Sequence, residues 1–154
     1  MERNVGMSEE RVVVLDRYDD KLYKGPGSFM SHQALSEAIR AMHEGNLDAS
    51  LWIYIGGDPE KVGYPVIPWL AVSTSRGMVA VSAEPTRDHF YDLVGDPSAS
   101  GKVPIVIGGQ EGDYPRRLLV SVEQAEAAAM EFFRTATVDV EGGSWEPQSS
   151  AWSS

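Results

Sequence analysis

The chain has 154 residues, no cysteine, and 23 acidic against 13 basic side chains, for a formal net charge of −10. That length fits one domain able to bury about 70% of its unfolded surface, and the missing thiols exclude disulfides, thiol nucleophiles and thiolate metal sites. A carboxylate surplus disfavours nucleic acid, whose phosphates it repels, and speeds the approach of a basic partner.

No stretch approaches the ~20 apolar residues needed to span a bilayer. The opening M-E-R-N-V-G-M-S-E-E has no apolar core of the kind a secretory signal carries. A cytoplasmic protein without membrane contact is therefore expected. Residues 1–10 are polar and aperiodic and are expected to fray, leaving a single domain over 11–147. The run R-V-V-V-L from Arg11 to Leu15 reads as a strand, and the segment from Asp16 to Met30 as a turn-rich loop. Ser31 is placed to cap a helix, with Met30 and Leu35 as its hydrophobic staple. Leu35, Ala38, Ile39 and Met42 form that helix's apolar stripe, and Gly45 is assigned the left-handed position after it.

Strands with short connections follow. Leu51–Ile55 is apolar on both faces and is predicted to be central. Trp69–Ser73 and Met78–Ser82 are joined by a tight turn at Ser75-Arg76-Gly77. Phe90–Val94 and Val103–Ile107 are predicted to form another hairpin, and Arg117–Val120 a closing strand. Ser121 and Gln124 then supply a capping box, and Ala125, Ala128, Ala129 and Phe132 recur at helical spacing with Phe133 beside them. Trp145-Glu146-Pro147 returns after a glycine pair and is expected to cover the helix end. Residues 148–154 are serine-rich and expected to be disordered, with Trp152 unexplained. These elements predict an α+β domain, a mainly antiparallel sheet of six to seven strands with two helices on one face.

If strands two to seven run as an unbroken meander, alternate connections gather at one rim of the sheet. The segments 57–66, 84–88 and 109–115 then bring together Asp58, Glu60, Glu84, Asp88, Glu111 and Asp113 against Lys61 and Arg87, a net of −4. Tyr64 and Tyr114 lie on the same segments. The opposite rim, 75–77 and 95–102, has Asp96 against Arg76 and Lys102, a net of +1. Aromatic rings among carboxylates are a composition suited to gripping a basic groove, although loops are polar by default. Trp52, Tyr54 and Trp69 are ordinary strand packing residues unless they face away from the helices, where they would make an adhesive patch.

Catalytic motifs do not survive inspection. Gly95–Lys102 has five residues between its glycines and Val103 after the lysine, where a phosphate loop needs four and a hydroxyl. K-G-P-G-S lacks a third glycine, and its proline removes an amide donor. Asp88 and Asp92 point to one side of a strand and His89 to the other, while His32 and His43 stand about three helical turns apart. No G-x-S-x-G nucleophile turn occurs. No metal, cofactor or catalytic residue is expected.

The run Y-P-R-R-L-L-V-S-V-E-Q-A, an alanine-rich helix ending in E-F-F, a glycine pair and S-W-E-P resembles the C-terminal half of a known family. That family is the first immunity family of the polymorphic-toxin systems. H-F-Y-D-L-V-G-D-P with V-P-I-V-I-G-G-Q resembles the same family's strand pair. The resemblance covers residues 88 to 147, with the N-terminal half following loosely as strand, helix, strand. It implies a non-enzymatic bacterial inhibitor whose partner is a cognate toxin, typically a deaminase acting on nucleic acid, bound 1:1. Charge agrees, since a nucleic-acid enzyme needs a basic groove that an acidic protein can occupy. Two other readings stand beside it. One is an inhibitor bound away from the active site through the aromatic sheet face, with little salt dependence. The other is a small-ligand or enzymatic α+β domain, which would show a deep pocket with convergent polar groups.

Overall fold

The hydrophobic periodicities resolve into two helices laid on one face of a six-stranded antiparallel sheet, with a separate two-stranded hairpin on the other face. The computed structural model describes residues 10–17, 31–46, 48–107 and 110–148. Expectations for residues 1–9, for 18–30 with the Met30 staple, and for 149–154 with Trp152 lie outside the described residues. In chain order the elements are β1 (Arg11–Arg17), α1 (His32–Glu44), β2 (Ala49–Ile55), the one-turn α2 (Pro59–Val62), β3 (Trp69–Ser75) and β4 (Met78–Thr86). Then come β5 (His89–Leu93), β6 (Lys102–Ile107), β7 (Gln110–Pro115), a 3-10 turn (Arg116–Leu118), α3 (Val122–Thr135) and β8 (Trp145–Pro147).

Local chemistry explains most element ends. Ser31 Oγ accepts from the Ala34 amide at the start of α1. Ser121 and Gln124 make the reciprocal capping box of α3, at 3.0 Å and 2.9 Å. Leu35, Ile39 and Met42 of α1 and Ala125, Ala129 and Phe132 of α3 are almost wholly buried. They meet Leu51, Ile53, Leu70, Val72, Val79, Val81 and Leu93 on one face of the sheet. The small alanines let α3 lie close to the strands, and Phe132 fills the end of the contact. Arg11 Nε donates 2.8 Å to the Phe133 carbonyl, occupying one acceptor that the last turn of α3 leaves open.

The large sheet runs β1-β2-β3-β4-β5-β8, every neighbour antiparallel. The β3–β4 hairpin turns at Arg76-Gly77, both with positive φ (54° and 80°), the geometry of a two-residue turn that matches strand twist. Several expectations need correction. Phe90–Val94 and Val103–Ile107 do not pair: β5 is bound to β4 and β8, and β6 to β7. The segment 109–115, read as a loop, is mostly β7. Arg117–Val120 is a 3-10 turn followed by a single bridge, Val120 to Val79. Trp145–Pro147 is the sixth strand of the sheet, paired with β5, and Trp145 packs against the helix-side core. Gly45 has φ −79°, and Asn46, with φ 55°, takes the left-handed position instead.

The hairpin β6–β7 lies apart from the main sheet and packs on it through its one apolar side. Val103, Ile105 and Tyr114 turn inward with Leu118 onto Ala80 of β4, and the other side stays wet. The Ser75 hydroxyl accepts from the Val106 amide at 2.8 Å and ties the hairpin to the end of β3. The hairpin covers only part of this second face. The remainder carries Trp52, Tyr54 and Trp69 with Val12, Val14 and Val66.

A candidate interface at one rim of the sheet

Antiparallel order places the β2–β3 connection and the β4–β5 turn at the same end of the sheet, so Asp58, Glu60, Tyr64, Glu84 and Asp88 do come together there. Asp58 caps α2, its Oδ1 accepting from the Glu60 amide at 3.0 Å. Pro59 at the first helical position suits that start. Glu60 and Asp88 are exposed, and Tyr64 is 72% exposed. Tyr54 and Tyr64 line a common cleft of about 80 Å³ with Val14, Asp16, Asp58 and Glu60. Glu10 belongs to this rim too, since its carbonyl accepts from the Gly56 amide at 2.8 Å.

Glu84 is at this rim but faces inward, with 5% of its surface exposed. Its Oε1 accepts from the Trp69 indole at 2.7 Å and its Oε2 from the Asp88 backbone N–H at 2.8 Å. Asp88, at φ 67°, is the strained residue of the turn that the second bond steadies.

Glu111, Asp113 and Tyr114 lie elsewhere. Glu111 pairs at 3.3 Å with Arg76, the residue of the β3–β4 turn at the opposite end of the sheet. Asp113 is exposed on β7, opposite Pro104. Tyr114 is 7% exposed, and its hydroxyl donates to Asp92 at 3.4 Å. The single acidic rim of net −4 therefore separates into two places, because 109–115 is a strand of another sheet. Without Glu111 and Asp113, the predicted rim has four carboxylates against Lys61 and Arg87, a net of −2.

Charge alone does not mark this rim; apolar surface does. Val62, Tyr64 and Phe90 are the large hydrophobic side chains exposed among the described residues, and all three fall here. Trp52 stacks on Tyr54 (6.1 Å between centroids, 4° between planes), Trp69 lies 5.0 Å from Trp52, and Phe90 6.4 Å from Trp69. A row of rings thus crosses the open sheet face and ends at the rim. Sequence reasoning passed over Phe90 and Val62 and assigned Glu84 to a partner. The signal for Glu84 was present: a two-residue turn at Arg76-Gly77 sets Trp69 directly opposite Glu84.

Asp92 is the other unusual carboxylate, 1% exposed on β5. Burial pushes its pKa up to about 6, against lowering by hydrogen bonds from Gln148 (3.1 Å) and Tyr114. Burial and the neighbouring Asp92 charge also hold the Tyr114 hydroxyl well above its ordinary range. Arg117 lies alongside, forked onto Glu146 of β8 at 3.1 Å and 2.5 Å. Among the described residues no three histidine or carboxylate side chains gather in a way that would hold a metal ion. No described helix is long and apolar enough to cross a membrane.

Two helices over a mainly antiparallel sheet, with exposed rings and carboxylates at one rim, make an α+β domain that carries a surface suited to a protein partner. The family model described as "Immunity protein Imm1" matches residues 30–141, well over half the chain. The chain belongs to the Imm1 family and is an immunity protein whose partner is a cognate toxin. The match takes in α1 and β2, where the resemblance was loose, and stops before the S-W-E-P motif that forms β8. No curated protein matches the chain.

Proposed function

We propose that this immunity protein neutralises a nucleic-acid-modifying toxin, a deaminase-type enzyme, by seating the rim of Asp58, Glu60 and Asp88 in the toxin's basic substrate groove. The observation that carries the reading is the coincidence of carboxylates with the exposed rings of Tyr64 and Phe90 at one end of the sheet. An enzyme that works on nucleic acid must offer positive charge to phosphates, and the net charge of −10 steers this chain to such a surface. Inhibition is stoichiometric, a 1:1 complex in the cytoplasm with no chemistry performed by the inhibitor. An interface at or above ~1,600 Å² is expected of so tight a pairing. Attachment through the aromatic sheet face is a related reading. The row Tyr54, Trp52, Trp69 and Phe90 reaches the same rim, and attachment through it away from the active site would show little salt dependence.

The test uses the purified cognate toxin domain. Replacing Asp58, Glu60 and Asp88 together by Ser should slow association and flatten its dependence on salt, with the fold unchanged. The parent protein should compete with the toxin's nucleic-acid substrate. Unchanged association and salt dependence in the triple variant, or binding that leaves substrate affinity intact, would refute groove occlusion.

A further inference from the structure

We infer that the toxin is gripped through an apolar anchor made by Val62, Tyr64 and Phe90, and that Glu84 is a positioning residue that shapes this anchor without meeting the toxin. The inference rests on the proposed placement of this rim against the toxin. Val62 is 66%, Tyr64 72% and Phe90 39% exposed. Single exposed apolar residues need no explanation, but their gathering at one rim does. The patch is backed by packed rings, with Trp69 behind Phe90 and Tyr54 sharing a cleft with Tyr64. Tyr64 and Phe90 have only two side-chain torsions each, so they lose little rotamer freedom on binding. Asp58 and Glu60 lie on the connection that carries Val62 and Tyr64, and Asp88 lies two residues before Phe90. A ring-rich centre inside a charged border is the arrangement in which a few residues supply most of an interface's free energy. With Lys61 and Arg87 exposed on the same segments the border is only weakly acidic, so the toxin surface it fits is an apolar recess first, with basic residues at its edge.

Glu84 stands between the two halves of the anchor. Its β4 position is opposite Trp69, one carboxylate oxygen takes the Trp69 indole N–H and the other the Asp88 amide. Both bonds run inward, so the carboxylate ties the first residue of β3 to the turn that presents Phe90. A glutamine there can accept with only one oxygen and must offer an amide N–H to a second donor.

Affinity and salt dependence are read for variants binding the purified toxin domain, with melting temperature as the control for folding. Tyr64→Ala and Phe90→Ala should each weaken binding by at least ~10-fold, mainly through faster dissociation, with the salt dependence of the parent. Glu84→Gln should weaken it by about 10-fold alone and by less than about twofold in a Phe90→Ala background, since both act through one element. A residue that only supports the fold would show no such coupling. If Glu84→Gln lowers the melting temperature, Trp69→Phe, which removes the indole donor together with part of the ring behind Phe90, replaces it in the cycle. Binding within about twofold of the parent for Tyr64→Ala and Phe90→Ala, alongside a flattened salt dependence in the Ser triple variant, overturns the anchor and leaves groove occlusion standing. If neither set of variants changes binding, the rim itself is wrong and both readings fall.

Discussion

Replacing Asp92 by Asn should make the protein more stable at neutral pH, although it alters a buried, hydrogen-bonded side chain. The Asp92 carboxyl is 1% exposed, and its pKa rises from 3.8 to about 6 through burial, which the bonds from Gln148 and Tyr114 only partly offset. A folded-state pKa raised above the unfolded one means that the fold prefers the protonated acid. Below about pH 4 both states are protonated and no penalty arises. Between about pH 4 and 6 the unfolded chain ionises first, and above about pH 6 the full penalty applies. At about 1.4 kcal/mol per unit, the two-unit difference corresponds to roughly 3 kcal/mol, an upper figure for the gain. The amide introduced by Asp92→Asn keeps an acceptor for Tyr114 and Gln148, and its N–H can donate toward Glu146, which already bears on Asp92 electrostatically. Urea unfolding of both proteins from pH 4 to 7.5 measures the difference. Asp92→Asn should gain on the order of 1–3 kcal/mol at pH 7.5, shrinking to near zero at pH 4. A difference independent of pH over that range, or a variant less stable than the parent at pH 7.5, would refute the reasoning.

Two further outcomes follow from backbone and cap geometry. Ser121→Ala removes one half of the α3 capping box and should cost ~1 kcal/mol, a fall of about 2–4 °C in melting temperature for a chain of this size. Gly95→Ala should cost at least ~2 kcal/mol in urea unfolding. Its added Cβ would lie 2.0 Å from the Leu119 carbonyl oxygen, and a backbone atom cannot rotate aside. Full stability of the Gly95→Ala protein would mean that the close approach of β5's end to the 3-10 turn is wrong.

The parts of the fold legible in the sequence were those specified within a few residues. Ser121 and Gln124 define the start of α3 through bonds three residues apart, and Arg76-Gly77 closes its hairpin with both residues in a conformation that glycine favours. The candidate site was legible in part for the same reason. Asp58, Glu60, Tyr64, Glu84 and Asp88 sit on connections whose shared end follows from simple antiparallel alternation. Glu84 was legible as a location and not as a role. Its inward turn depends on the Trp69 indole and the Asp88 amide reaching it from two other segments.

By itself, then, the sequence determined β1 to β6 in outline, the two long helices and their N-caps, and an acidic protein with no thiol chemistry. Only the tertiary structure decided that β5 takes Trp145–Pro147 as its partner, that β6 and β7 leave the sheet as a hairpin, and that Tyr114 is buried beside Asp92. The physical reason is that a strand's alternation specifies which of its faces is buried but not what lies beside it. The choice of neighbour rests on contacts between residues far apart in the chain. Here the Arg117–Glu146 fork and the Asp92–Gln148 bond join segments that no local spacing relates.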